Sequence, residues 1–470
     1  MEVQAHLILS DLVYNMEGCS TRFRYLHNRA LTVSREISLH LIDASLADRN
    51  TADNDPITEV RRRVWWHIVS TDWLLSIMGG PQDRTYQVHP RHMIVNFPRN
   101  VNDEEMSADL PADTGTDMTY FLLRVRLAEV CRKVVDFLPP GSCDIDGLPY
   151  DQVLAISQLF DGARATMPSS FTLDAPIKPD TRPSAAIDRR IIHLAFHARL
   201  ARVFRPFLLV PDQTRPSKNF DPRCLHFRAM CLHSARFVLI IASTLLRESL
   251  EKSAGRLLPF PLIHRSGCVI SHMFMACVVL ATDPTLASSN GDGLLSSDVD
   301  TIRLELENAR RLLETVGEKS PMAASLVQTL IGVLKKHNVH ATTPTKEGKP
   351  EVQYGSKGPV VNALSDLVTA HAVLSESSNT NPYPDHTAAS IGKGLAEQQR
   401  SSQFYTNPQH VDNSTQGIID AGWVVNGDTV YNTQSIDGMG WLDFTNAGYT
   451  EVDSWGELFA DLDAAFPASM

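Results

Sequence analysis

The chain of 470 residues predicts an all-α domain followed by a largely disordered linker and an acidic tail. Three observations carry this prediction. Over residues 1–337 apolar side chains recur three and four apart while β-branched alternation is scarce, which is the period of helices rather than strands. Two runs, FVLIIASTLL at 237–246 and CVISHMFMACVVLA at 268–281, are apolar nearly all round, as buried helices are. Beyond about residue 337 the chain turns rich in Thr, Pro, Gly, Ser and Lys and offers no buriable face, the composition of a linker. The organisation is then a helical domain over 1–337, a flexible linker over 338–400 with one isolated amphipathic helix at 360–374, and an acidic aromatic tail over 401–470.

The elements follow in chain order. VQAHLILS at 3–10 reads as a first helix and HNRALTVSREISLHLID at 27–43 as a second. Residues 57–81, ITEVRRRVWWHIVSTDWLLSIMGGP, form the most patterned helix, opened by Pro56 with Thr58 as N-cap and closed by Gly79, Gly80 and Pro81. Trp65, Ile68, Asp72 and Leu75 share one stripe, so Asp72 lies among apolar residues and requires a partner. Glu59 precedes Arg62 and Arg63 by three and four residues, the spacing of helical ion pairs, and leaves Arg61 to reach elsewhere. Three arginines are too few for a nuclear-import or phosphate-binding patch. Their expected use is structural, with guanidinium groups pairing Asp72 or stacking on the indoles of Trp65 and Trp66.

An extended stretch, IVNFPRNVNDEE at 94–105, comes next, and loops at 139–149, 168–184, 211–222 and 283–298 separate the later helices. One of these, IIHLAFHARLARVFRPFLL at 191–209, ends in Arg205, Pro206 and Phe207. Ser297 and Asp300 have capping-box spacing ahead of a stripe made by Ile302, Leu306, Ala309, Leu313 and Val316.

Composition narrows the function classes. With 43% hydrophobic and 21% charged residues the chain can bury a sizeable core, and its longest apolar runs fall short of a bilayer span of about 20 residues. Seven widely spread cysteines without a CxxC pair indicate neither a disulfide framework nor a zinc knuckle, which fits a reducing, intracellular compartment. The net charge of −11 is concentrated: residues 401–470 hold ten acids and no lysine or arginine. Residues 1–400 are left with 43 basic against 44 acidic side chains and no footprint for a polyanion.

Catalytic and metal chemistry find no residues. His193 and His197 have the i, i+4 spacing of two ligands, but Leu194 stands where HExxH needs glutamate and no acid lies between Arg189 and Pro211. Cys224, His226, Cys231 and His233 fit no compact zinc spacing and read as parts of a long helix. GxSxG, Walker and GxGxxG motifs are absent, and Glu104 with Glu105 reads as solvated surface. No catalytic residue, metal ligand or cofactor site is therefore assigned.

The tail has its own chemistry. It holds ten of the chain's 34 aromatic residues, and most have acids beside them, so charge repulsion keeps the rings available to a partner. If SWGELFADLDAAF became helical in a groove, Trp455, Leu458, Phe459, Leu462 and Phe466 would share one face. Activation or coactivator docking is the expected role, a passive or intramolecular one the alternative.

The segments at 57–81 and 94–105, with 3–10, 27–43 and 191–209 in the same order, resemble the regulatory domain, or middle homology region, of fungal zinc-cluster transcription factors. Gly80 stands where that family commonly has arginine, which takes away any salt bridge made there but not the turn. The resemblance makes Arg61, Arg62, Arg63, Trp65, Trp66, Asp72, Gly79, Pro81, His197, Arg205, Pro206 and Phe207 a structural signature. It implies a nuclear transcription regulator of a metabolic or secondary-metabolite gene set, with a coactivator or the general transcription machinery, a dimer partner and a small-molecule effector as its contacts, and no membrane.

Members of the family read DNA through a six-cysteine zinc cluster, and these residues contain none. The cluster, and with it zinc, is expected upstream of Met1, lost through a misassigned start or truncation. Otherwise the chain reaches DNA only indirectly, by pairing with an intact regulator. A helical ligand-sensing or protein-interaction module is the second reading. An all-α enzyme, the third, would need a pocket of perturbed acids or histidines that the sequence does not show.

Overall fold

Helical periodicity becomes ten α-helices among the described residues, and no strand occurs there. In the computed structural model these are residues 1–44, 55–79, 81–105, 115–139, 145, 148–176, 184–209, 223, 225–253, 263–283 and 296–337. The expected helix at 360–374, the tail with Trp455, Leu458, Phe459, Leu462 and Phe466, and Gly80, Cys143 and Cys224 lie outside them. The helices are α1 Glu2–Glu17, α2 Thr21–Glu36, α3 Pro56–Leu75, α4 Thr119–Phe137, α5 Tyr150–Ala165, α6 Ala185–Phe204, α7 Leu225–Ser253, α8 Gly267–Ala281, α9 Ser296–Gly317 and α10 Pro321–Lys336.

The run that is apolar all round takes the centre. Every residue of α8 except Cys268 is buried, and it packs against α1, α6, α7, α9 and α10. Its polar interruptions are satisfied locally: Ser271 donates to the Gly267 carbonyl at 2.7 Å, and His272 accepts from Arg199 at 3.0 Å. Helix α8 meets α1 closely at Gly267, where an added Cβ would stand 2.4 Å from the Tyr14 carbonyl oxygen. That amide instead donates to Asn15 Oδ1 at 3.0 Å.

Helix α7 is, among the described residues, the one helix long and apolar enough to cross a membrane by length and composition. It lies packed against α6 and α8, and Arg236 forks onto Glu305 of α9 at 2.8 and 3.0 Å. Leu306, Ala309, Leu313 and Val316 of α9 are buried as their stripe predicted, with Ile302 partly so. One hydrophobic core runs from Val3 to Leu334.

Helix ends differ from expectation. Asp55, not Thr58, caps α3: its carboxylate accepts the amides of Ile57 and Thr58 at 3.4 and 2.9 Å and the Thr58 hydroxyl at 2.7 Å. With proline at the first helical position, the residue before it is the one placed to reach back. The same helix stops at Leu75, ahead of Gly79, because the Ser76 hydroxyl turns back onto the Trp73 carbonyl at 2.7 Å. Gly79 is still needed, at φ 88°, in the following turn. Helix α9 begins at Ser296.

Candidate functional site

The signature helix is fastened by acids and carbonyls from outside it. Arg62, 1% exposed, forks onto the Asp43 carboxylate with Nε at 3.1 and 3.2 Å and Nη2 at 2.5 Å. Asp43 also accepts the Asn96 amide at 2.6 Å, and its own amide donates to the Ile94 carbonyl at 3.0 Å. Buried Glu59 takes Arg63 at 2.9 Å and the Arg99 amide at 3.0 Å, while Arg63 reaches Asp103 at 2.6 Å. Arg61 is exposed.

The three indoles of α3 all serve one strap, residues 87–105, which includes the extended segment. Trp66 Nε1 donates to the Asn96 carbonyl and Trp73 Nε1 to the Val88 carbonyl, each at 2.8 Å, and Trp65 Nε1 faces Met93 Sδ at 3.4 Å. Phe97 stacks on Trp66 with centroids 4.5 Å apart. A strap with no strand or α-helix leaves carbonyls unpaired, and the indole N–H groups of Trp66 and Trp73 supply two of them from an apolar surface.

The expected pairing of these arginines with Asp72 or the indoles does not occur. Ten residues of helix separate Arg62 from Asp72, about 15 Å along the axis and beyond the reach of a guanidinium. Asp72 accepts the amides of Gln87 and Val88, each at 2.9 Å, and the cation over an indole is Arg132, 5.3 Å from Trp73. Burial pushes the Asp72 carboxyl up to about 6, opposed by those amides. The folded chain thus holds this proton more tightly than an unfolded aspartate titrating near 3.8, so the contribution is full below that value and is lost as pH rises through about 6. Denaturant titrations between about pH 4 and pH 7 should show wild type losing on the order of 3 kcal/mol relative to Asp72→Asn. Parallel profiles for the two proteins would refute the burial account.

Distant parts of the signature meet through Asp83. One of its oxygens accepts the Gly79 amide at 2.9 Å and the other Arg202 of α6 at 3.2 Å, just before Arg205, Pro206 and Phe207. Phe207 packs on Phe227 of α7 at 5.3 Å, Arg205 is buried, and Pro206 is half-buried. His197 stacks on Phe237 at 3.9 Å and faces Ser234 Oγ at 3.3 Å, whereas His193 faces the Phe171 carbonyl at 2.9 Å. The two histidines serve different neighbours.

Nor do the described residues fit zinc. No group of three or more His, Cys, Asp or Glu there is placed to hold a metal ion. Burial raises the thiols of Cys19 and Cys131 to about 11 and Cys277 to about 12, away from the thiolate that zinc takes. Cys231 is buried and donates to the Ala201 carbonyl at 3.2 Å.

Sequence reasoning missed a cavity of about 570 Å³ between α1, the turn at 18–20, the loop at 78–81, α8 and the start of α10. Met16, Met78, Met275 and Met322 line it, with the polar groups of Tyr14 and Ser271. No spacing rule announces it, because its walls come from five places in the chain. Two arginines, half-buried Arg124 and buried Arg199, have no ion pair among the described residues. Arg124 donates to the hydroxyls of Ser70 and Thr71, and Arg199 to the Ala195 carbonyl at 3.2 Å and to His272. Since an arginine only donates, His272 Nε2 accepts and its ring is neutral, in keeping with burial driving its pKa far down.

Residues 2–143 match the fungal specific transcription factor domain, and the chain belongs to that family. It is 36% identical over 369 residues to Transcription factor TAS2 of Pyricularia oryzae, covering 74% of this chain and 47% of that protein. It is 35% identical over 396 residues to Probable transcription factor lepB of Aspergillus flavus, covering 79% and 66%. Agnestins biosynthesis cluster transcription factor AgnL11 of Paecilomyces divaricatus is 32% identical over 337 residues, covering 70% and 46%. The chain thus spans about half to two thirds of the length of these relatives. No solved structure matches it significantly.

Proposed function

We propose that the chain regulates transcription of a fungal biosynthetic gene set, with residues 1–337 as the regulatory domain and 401–470 as the activating segment. The observation that carries this reading is the similarity to named transcription factors over about three quarters of the chain, one of them named for a biosynthesis cluster. The geometry supports it in one respect: Arg62, Arg63 and the indoles of α3 are consumed by internal contacts. A nuclear location follows from this role. Trp455, Leu458, Phe459, Leu462 and Phe466 would meet a coactivator or the general transcription machinery, and DNA would be reached through a dimer partner, an intact regulator or a segment outside these residues.

Fusing residues 401–470 to a heterologous DNA-binding domain tests this in a fungal reporter strain. Reporter induction that falls when Trp455 and Phe459 become alanine is the expected result. A silent fusion, produced at normal levels, would remove the activating role.

A further inference from the structure

We propose that the cavity beside α8 binds an amphipathic organic anion: a carboxylate carried on a flexible apolar body. Its volume, about 570 Å³, is that of a small-molecule site. Four of the chain's 13 methionines line it, from α1, the 78–81 loop, α8 and α10. Unbranched thioether side chains repack around variable shapes, so such a wall accepts a class of apolar bodies rather than one. Met275 and Met322 are buried at the inner side, while Met16 is 57% exposed at the mouth.

Charge selects the headgroup. Arg24, Arg265 and Lys319 line the same cavity, and none has a carboxylate partner among the described residues. Arg24 donates only to the Cys19 carbonyl at 2.5 Å and Thr21 Oγ1 at 3.1 Å. The one acid in the lining, Glu17, is occupied by Arg22 at 2.7 Å and the Ser20 hydroxyl at 2.8 Å. Arg199, 6% exposed, has no hydrogen-bond partner at Nε among the described residues, and its charge acts on Tyr14 and Cys19 of the lining and on Cys268. A buried cation without a counter-ion is costly, and a carboxylate in the adjoining cavity offsets part of that cost. Cations around an apolar, methionine-lined space therefore favour an anion with a hydrophobic body over a neutral lipid or a small hydrophilic anion.

Binding is independent of the transcriptional role, because it is read on the purified 470-residue chain. Calorimetric titration with decanoate should show saturable, one-to-one binding and a raised melting temperature, with decanol binding at least about tenfold more weakly. Arg24→Gln combined with Lys319→Gln should weaken decanoate about tenfold while leaving decanol unchanged, and Met16→Glu, at an exposed position, should do the same by repulsion. Failure of decanoate to saturate, equal binding of decanol, or folded variants that bind decanoate as wild type does would each overturn the proposal. Should a variant not fold, the comparison of acid with alcohol on wild type still decides.

Discussion

Arg62→Ala is expected to destabilise the domain by about 3–5 kcal/mol, because it leaves the Asp43 carboxylate, 3% exposed, without its counter-charge. Domains of ordinary stability hold about 5–15 kcal/mol, so the loss should appear as reduced soluble yield and a markedly lower melting temperature. Arg62→Lys should recover little, since an ammonium cannot reproduce the two-pronged contact that Nε and Nη2 make with Asp43. Arg61→Ala is the matched control: the residue is exposed on the same turn, and its loss should fall within about 0.5 kcal/mol of zero. A folded, normally stable Arg62→Ala protein that failed in regulation would make Arg62 a contact residue and refute the structural role.

Trp66→Ala should cost a similar amount for a different reason. Removing a buried indole leaves a cavity worth about 3–5 kcal/mol and strips the Asn96 carbonyl of its donor. Because Phe97 rests on that indole, the part of the strap at 94–105 should lose its seat before the helices unfold. Limited proteolysis reads this directly, with faster cleavage in the strap at temperatures where the circular dichroism of the helices is unchanged. Trp66→Phe keeps a ring beneath Phe97 but no N–H, and should lie between the two. Equal cleavage rates in wild type and Trp66→Ala would mean that the strap is held by Asp43 and Glu59 alone.

Much of the signature was legible in one dimension because helical spacing is local. Glu59 meets Arg63 as an i, i+4 pair must, and the stripe of α9 is buried where its period placed it. Misassignments arose wherever a partner lay beyond a few residues. The place of Asp72 on an apolar stripe implies a partner, yet that partner is the pair of backbone amides at Gln87 and Val88 rather than a side chain of opposite charge. In the sequence Asp43 is an unremarkable acid at the end of the segment 27–43, although Arg62 depends on it 19 residues away. The cap of α3 is a local exception: Thr58 has the right hydroxyl, but Asp55 holds the position before proline.

By itself, then, the sequence determined the helical class, the buried character of α7 and α8, the family resemblance and the acidic aromatic composition of the tail. These are properties of spacing and composition, and both are written along the chain. Tertiary structure alone decided which acid neutralises Arg62, that three indoles hold one strap, that Asp83 joins the two ends of the signature, and that α1, α8 and α10 leave a cationic, methionine-lined cavity between them. Each of these arises between elements far apart in the chain. The pairing is set by which surfaces the core brings together, and a desolvated charge takes whatever complement packing places beside it.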